Sequence, residues 1–194
     1  MIIKAVIFDL DGTITKPYFD FDLIRERMGL DRNSGPILET MERMSPSERL
    51  EAQKILDYYE QKAVEESQLN DSAKETLSRL RSEGFYVGIL TRNTKANAYA
   101  ISRKFNLHFD AVVGREDGPV KPDAFGVLTL CNHFNIQPQE ALVVGDFLFD
   151  ILCAKAAGAF AVLLKNHHKA DEFAHRADYR IDNLSQIFDI IKHI

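Results

Sequence analysis

The chain is predicted to be an α/β protein: a mostly parallel sheet with helices on both faces, interrupted by a helical insertion after the first strand. Three observations carry this. Short runs rich in apolar and β-branched residues recur at 3–8, 85–90, 110–113, 141–144 and 160–164, as expected of strands buried on both sides. From residue 71 onward these runs alternate with amphipathic stretches of helical length, the pattern of a parallel sheet. Between Thr13 and about Asn70 no convincing strand occurs, and the whole stretch has helical character. The expected division is a core of 1–14 with 71–194 and an inserted helical cap of 15–70.

Each element has its own signals. The first strand ends at Asp9, and Gly12 follows within an Asp-Gly turn. Inside the insertion, Ile37, Met41 and Met44 form a short apolar stripe. Ser45, Pro46 and Glu48 make a strong helix start, with Ser45 as N-cap, Pro46 at the first position and Glu48 closing a capping box. The helix that follows is expected to bury Leu50, Ile55 or Leu56, Tyr59 and Ala63. Asp71 or Ser72 starts a helix carrying Leu77 and Leu80 inward and stopped by Gly84. Further helices are expected at 95–105, 122–134 and 148–157, the last stopped by Gly158. A final helix from about Leu184 carries Ile187, Ile190 and Ile191.

Composition narrows the function classes. Among 194 residues, 45% are hydrophobic and 27% charged, ordinary for a globular domain. A net charge of −5 argues against a nucleic-acid-binding surface. No apolar run approaches the roughly 20 residues a membrane span needs, and the first residues lack a signal peptide's pattern. The two cysteines, Cys131 and Cys153, lie in apolar helical patterns. Two reduced, buried thiols are expected there, and with them a cytoplasmic location.

Four polar signals fall at or just after strand ends: Asp9 with Asp11, Thr91, Lys121, and Asp146 with Asp150. In an open α/β sheet, ligands bind beyond the carboxyl ends of the strands, so these groups are displayed where chemistry occurs. Singly, each has a plain structural reading: an Asp-Gly turn, a helix cap, a solvated lysine, a carboxylate at a helix N-terminus. Jointly and in this order they form a constellation. Asp150 lies four residues after Asp146, one helical turn along the same face.

This order resembles the haloacid dehalogenase superfamily over essentially the whole chain. Its four motifs are matched by Asp9-Leu10-Asp11-Gly12-Thr13, by Thr91, by Lys121 before Pro122, and by Gly145-Asp146 with Asp150. The insertion stands where members with a helical cap carry theirs, and the chain looks like the phosphoglycolate-phosphatase-like group with a short cap. The resemblance implies a Rossmann-like core and phosphoryl transfer through a covalent aspartyl-phosphate. It makes Asp9 the nucleophile. Asp11 becomes the acid that protonates the leaving oxygen and the base that then takes a proton from water. Thr91 donates its hydroxyl to a phosphoryl oxygen, and the backbone N–H groups of Leu10, Asp11 and Arg92 add donors.

Charge arithmetic adds a cation. Like charges about 4 Å apart repel by roughly 4 kcal/mol at an effective dielectric of 20. Asp9, Asp146 and a phosphate dianion therefore need more compensation than Lys121 alone supplies. A hard divalent ion meets the need, and Mg²⁺ is expected. The resemblance names its ligands as the carboxylates of Asp9 and Asp146 and the backbone carbonyl of Asp11. Asp150 either binds the ion through water or orients Lys121, and both readings stand.

Other candidates carry less. His167, His168 and His175 lie in a polar stretch without zinc-site spacing, and no G-x-G-x-x-G or Walker sequence occurs. Arg25, Arg27, Arg32 and Arg43 in the insertion are mainly solvated helix charges, each a lesser candidate for a substrate carboxylate or sugar. Arg92 and Asn93 are better placed to line the site, and Arg115 is a further candidate. The expected activity is Mg²⁺-dependent hydrolysis of a small phosphorylated metabolite. Asp11 sets the chain apart from the superfamily's dehalogenases, which lack an aspartate there, and Thr13 from its mutases, where Val is common. A phosphomutase and a non-catalytic phosphate-binding domain are the alternatives. An insertion leaving the sheet beside Asp9 and Asp11 is expected to serve as a lid that excludes water and restricts access to small substrates, with neither nucleic acid nor membrane as partner.

Overall fold

The structure, a computed structural model, describes residues 2–194. The chain divides into two compact units, Met1–Pro17 with Gln68–Ile194, and Tyr18–Ser67.

The larger unit is built on six strands: β1 (Ala5–Phe8), β2 (Tyr86–Leu90), β3 (Ala111–Val113), β4 (Ala141–Gly145), β5 (Phe160–Leu164) and β6 (Tyr179–Ile181). All neighbouring pairs are parallel, in the order β3-β2-β1-β4-β5-β6. From β1 the chain steps outward through β2 to β3, then returns to the other side of β1 as β4. The order reverses between β1 and β4, so the crevice of a doubly wound sheet opens beyond the ends of these two strands. Register places Phe8 beside both Ile89 and Val144. The residues that follow β1, β2 and β4 therefore emerge side by side.

Both faces of the sheet are dry. Ala5, Ile7, Leu90, Ala141, Val143, Ala161 and Leu163 share one core with Val127 and Leu130 of α6 (Phe125–His133) and Ile151 of α7 (Leu148–Ala157). The alternate residues Val6, Phe8, Leu142, Val144 and Val162 are equally buried, which requires a second layer on the opposite face. α4 (Ala73–Ser82) packs on β2, with α5 (Lys95–Phe105), α8 (Ala170–Phe173) and α9 (Ile187–His193) completing the unit. Each fully buried Ile, Leu or Phe contributes about 1.5–3 kcal/mol through burial.

Two features depart from the expected pattern. β6 has no counterpart in the apolar runs; it is three residues long, with exposed Arg180 at its centre, and is held by pairing to β5. The helix expected from Pro122 begins at Phe125. Residues 121–124 instead form a turn, in which the Asp123 carboxylate accepts from the Phe125 N–H at 2.7 Å. That turn leaves Lys121 free to project away from the helix.

The segments that leave and re-enter this unit run beside each other. Thr15 bridges Leu69 in antiparallel fashion, the Lys16 N–H donates to Gln68 O at 2.9 Å, and the Asn70 N–H donates to Ile14 O at 2.9 Å.

The smaller unit contains α1 (Phe21–Arg27), α2 (Ile37–Glu42) and α3 (Pro46–Glu66). Ser45 and Glu48 form the expected capping box. Ile24, Ile37, Met41, Ala52 and Leu56 make its core, with Met44 and Tyr59 packed against it. Leu50, expected inside, is 58% exposed. The inward face of α3 runs through Ala52, Leu56, Glu60 and Ala63, a row that includes a carboxylate and that an apolar count therefore misplaces. Arg25 donates to the Gly35 carbonyl and pairs with Asp22, and Arg43 donates to Ser34 O and Thr40 Oγ1.

Candidate active site

Three strand ends supply the site. The Asp9 N–H continues the β1 ladder by donating to Val144 O at 2.8 Å. The chain then turns sharply, and the N–H groups of Ile14 and Thr15 both return to Leu10 O, at 2.9 and 3.0 Å. Thr91 follows β2, its N–H bonded to Val113 O, and its hydroxyl oxygen accepts from the Asn93 N–H at 2.9 Å. Asp146 follows β4, and Asp150 lies in the first turn of α7.

Lys121 joins these elements. Its ammonium donates to Asp9 Oδ1 at 2.5 Å and to Asp150 Oδ1 at 2.7 Å, and all three side chains are buried. Asp150 also accepts from the Phe147 N–H through Oδ2 at 3.1 Å, so both its oxygens are engaged. Burial pushes the Asp9 carboxyl up to about 7; Asp150 and Asp11 add to the rise, and Lys121 opposes it. Asp146 is raised well above its ordinary value by burial and then by the charges of Asp9 and Asp150. Burial works against the Lys121 charge, but Asp150 and Asp9 outweigh it and hold the ammonium protonated beyond its usual range. The cluster is therefore short of positive charge.

Glycine makes the carboxylates' close approach possible. A Cβ at Gly12, where φ is +92°, would lie 2.5 Å from Asp146 Oδ2. One at Gly145 would lie 2.1 Å from Asp150 Cγ. Any side chain at either position would push a carboxylate out of the cluster.

Asp11 faces a different partner. Its Oδ2 accepts from Asn93 Nδ2 at 3.2 Å. The Asn93 oxygen meanwhile takes the Thr94 N–H at 2.7 Å and Asn97 Nδ2 at 2.8 Å. Two donors on that oxygen fix which end of the carboxamide is turned to Asp11. Burial raises the Asp11 carboxyl, against the Asn93 hydrogen bond and the Lys121 charge.

The residues present fit a divalent cation. Asp9, Asp146 and Asp150 each offer a carboxylate oxygen within 4.8 Å of the others, the one such acidic, histidine or cysteine group among the described residues. Fully ionised, three buried carboxylates facing one buried ammonium would leave two negative charges to be balanced. An all-oxygen set suits a hard ion.

The remaining sequence candidates lie in other roles or other places. Arg92 directs its guanidinium at the Lys121 backbone carbonyl and over the Phe149 ring, 4.9 Å from its centroid. His167 lies tilted against His168 at 4.3 Å and meets Phe147 edge-on at 5.0 Å, and its Nδ1 accepts from the Lys169 N–H. Thr13, which the sequence marks as the last residue of the first motif, donates its hydroxyl to Asp146 Oδ1 at 3.3 Å; the sequence gives no sign of a role for Asn70 or Asn166. Isolated amides in loops have no spacing to betray them.

Comparison with known proteins bears on this arrangement. The family described as haloacid dehalogenase-like hydrolase matches residues 19–164. The chain belongs to this family. An uncharacterized hydrolase of Saccharomyces cerevisiae is 33% identical over 201 residues, covering 99% of this chain and 92% of its own. A phosphoglycolate phosphatase of Chromobacterium violaceum is 27% identical over 217 residues, covering 98% and 97%. A solved haloacid dehalogenase-superfamily hydrolase of subfamily IA from Geobacter sulfurreducens aligns over 97% of this chain and 96% of its own, with a TM-score of 0.66 and 26% identity. Relatives with a named activity include phosphoglycolate phosphatases and putative pyrophosphatases, and this member of the haloacid dehalogenase-like family is a phosphatase. Among the described residues no helix is long and apolar enough to cross a membrane.

Proposed function

We propose that this haloacid dehalogenase-like hydrolase uses Mg²⁺ to hydrolyse a small phosphomonoester by way of a phosphorylated Asp9. The observation that carries the reading is the meeting of Asp9, Asp146 and Asp150 around Lys121 at the switch point of the sheet. Asp9, Asp146 and the Asp11 carbonyl would hold the ion, with Asp150 adding a contact through water while it orients Lys121. When bound, the ion supplies charge neutralisation to the phosphoryl group as the nucleophile approaches.

The chain's own residues do the rest. An Asp9 oxygen attacks phosphorus as the bond from phosphorus to the ester oxygen breaks. Asp11 gives its proton to that departing oxygen, consistent with a carboxyl raised by burial and steadied by Asn93. Water then attacks the phosphorylated Asp9, Asp11 takes back a proton, and the carboxylate of Asp9 returns with release of phosphate. Lys121, Thr91 and the N–H groups of Leu10, Asp11 and Arg92 receive the phosphoryl oxygens throughout. Arg92 has a second part, bracing the Lys121 backbone.

The phosphatase relatives support a small phosphorylated metabolite as substrate, and the acidic net charge argues against nucleic acid as a partner. Cys131 and Cys153 are free and buried, which supports a reducing compartment such as the cytoplasm. The test is phosphate release from a panel of phosphorylated metabolites, with and without Mg²⁺. Turnover that needs Mg²⁺ and vanishes in Asp9→Asn is expected; undiminished turnover in excess EDTA would overturn the reading.

A further inference from the structure

Two amides outside the four motifs converge on the loop that carries them. Asn70 Nδ2 lies 3.0 Å from Gly12 O, 2.7 Å from Thr13 O and 3.2 Å from Thr15 O. Asn166, just beyond the end of β5, donates from Nδ2 to the same Gly12 oxygen at 2.7 Å and to Asn70 Oδ1 at 3.3 Å. One loop thus has three successive-turn carbonyls gathered by a single side chain, and a second side chain locks the first. Carbonyls turned away from a sheet ladder need such donors, and their loss leaves the turn without its defining contacts.

The far side of this loop faces Asp146. Gly12 approaches so closely that a Cβ would fall 2.5 Å from Asp146 Oδ2. The fully buried Thr13 donates its hydroxyl to Asp146 Oδ1. The loop is therefore gripped on one side by two amides and pressed on the other against a single carboxylate.

We propose that Asn70 and Asn166 are positioning residues for the Asp146 carboxylate, acting through the Gly12–Thr13 backbone to set how tightly the site holds its divalent ion. The proposal rests on the Mg²⁺ reading above. It also makes Asn70, which stands at the return of the inserted segment with its N–H on Ile14 O, the point where that segment's anchorage and the carboxylate's position are fixed together.

The experiment measures Mg²⁺ binding calorimetrically, without substrate, on EDTA-stripped wild type, Asn166→Ala and Asn70→Ala, with melting temperatures taken metal-free. Partners that orient a metal's ligands are worth about 10–100-fold in affinity or activity. Asn166→Ala, altering a half-buried residue, is expected to weaken Mg²⁺ at least about tenfold while kcat at saturating Mg²⁺ stays within about threefold. Thr13→Val should weaken Mg²⁺ likewise, Thr13→Ser should restore it, and adding Asn166→Ala to Thr13→Val should cost less than in wild type, because both act on one carboxylate. Should Asn70→Ala fail to fold, Asn166→Ala and the Thr13 pair still decide the matter. Wild type that binds Mg²⁺ beside a folded Asn166→Ala that binds it equally well overturns this inference alone. Wild type that binds no Mg²⁺ overturns the metal reading on which it stands.

Discussion

Lys121 reaches Asp9 and Asp150 at once, while Asp11, two residues from Asp9, is turned to Asn93. Two neighbouring carboxylates are thereby given different partners, and different partners suit different roles. Asp9→Asn keeps the shape of the nucleophile without its negative charge, so kcat should fall more than about 100-fold with the fold intact; circular dichroism and steady-state kinetics check this. Asp11→Asn should lower kcat by about 10²–10⁴ for alkyl phosphates, while an activated aryl phosphate, whose leaving group needs no proton, should still phosphorylate Asp9 and let the phosphorylated protein accumulate. An equal loss on both substrates with no phosphorylated protein would remove Asp11 from the acid–base role. Titration gives a third expectation. Asp9 is raised to about 7 and Asp146 is raised as well, so the metal-free native state holds protons that the unfolded chain releases near pH 4. The associated stability is complete below that pH and is lost as pH rises through about 7. Without Mg²⁺ the melting temperature should fall over this window. Mg²⁺ favours the ionised carboxylates and should reverse the fall, and Asp9→Asn should flatten it.

Strands and turns place these residues, and they differ in how plainly the sequence announces them. β1, β2, β4 and β5 are continuous apolar runs bounded by polar residues, a pattern that survives because burial on both faces removes any need for alternation. β6 is hidden for the opposite reason: three residues with Arg180 between Tyr179 and Ile181 carry too little hydrophobic signal, and only pairing with β5 makes them a strand. The strand ends that form the candidate site are legible because carboxylates directly after buried strands are conspicuous. Their supports are not: Asn70 and Asn166 meet Gly12 from positions 58 and 154 residues away, and tertiary contacts of that kind leave no local trace. Lys121 is legible as a residue, while the turn that presents it reads as helix, since a proline at 122 suits a first helical position and the pattern does not register the Asp123 turn. The end of β4 offers a direct test. Gly145→Ala places a methyl group 2.1 Å from the present position of Asp150 Cγ, and overpacking of this kind costs about 1–3 kcal/mol. Asp150 must move, and Lys121 loses one of its two anchors. A lower melting temperature together with a loss of kcat is expected; loss of stability with kcat unchanged would separate Asp150 from the reaction.

At the scale of the whole chain, the insertion is joined to the core by segments that lie side by side. Thr15 bridges Leu69, and the Lys16 N–H is bonded to Gln68 O. The two ends of 18–67 are therefore already close, and a linker of about four Gly and Ser residues, well within the reach of roughly 3.3–3.6 Å per residue, can join them without strain. The core keeps Asp9, Asp11, Thr91, Lys121, Asp146 and Asp150, and the six-stranded sheet. The excised residues have a core of their own around Ile24, Met41 and Leu56. Alongside it goes an open groove of about 420 Å³ lined by Arg27, Glu51, Lys54 and three apolar or aromatic side chains. Reaction and selection should separate in this variant. Hydrolysis of a small aryl phosphate should persist, because the groups proposed to bind and transfer phosphate all remain. The ranking of metabolites by kcat/KM should collapse, because discrimination among organic groups requires contacts beyond the phosphate. The measurement is kcat/KM over one substrate panel for the full chain and the linked core, each shown to be folded by its melting transition. An unchanged ranking would assign substrate choice to the sheet edge itself.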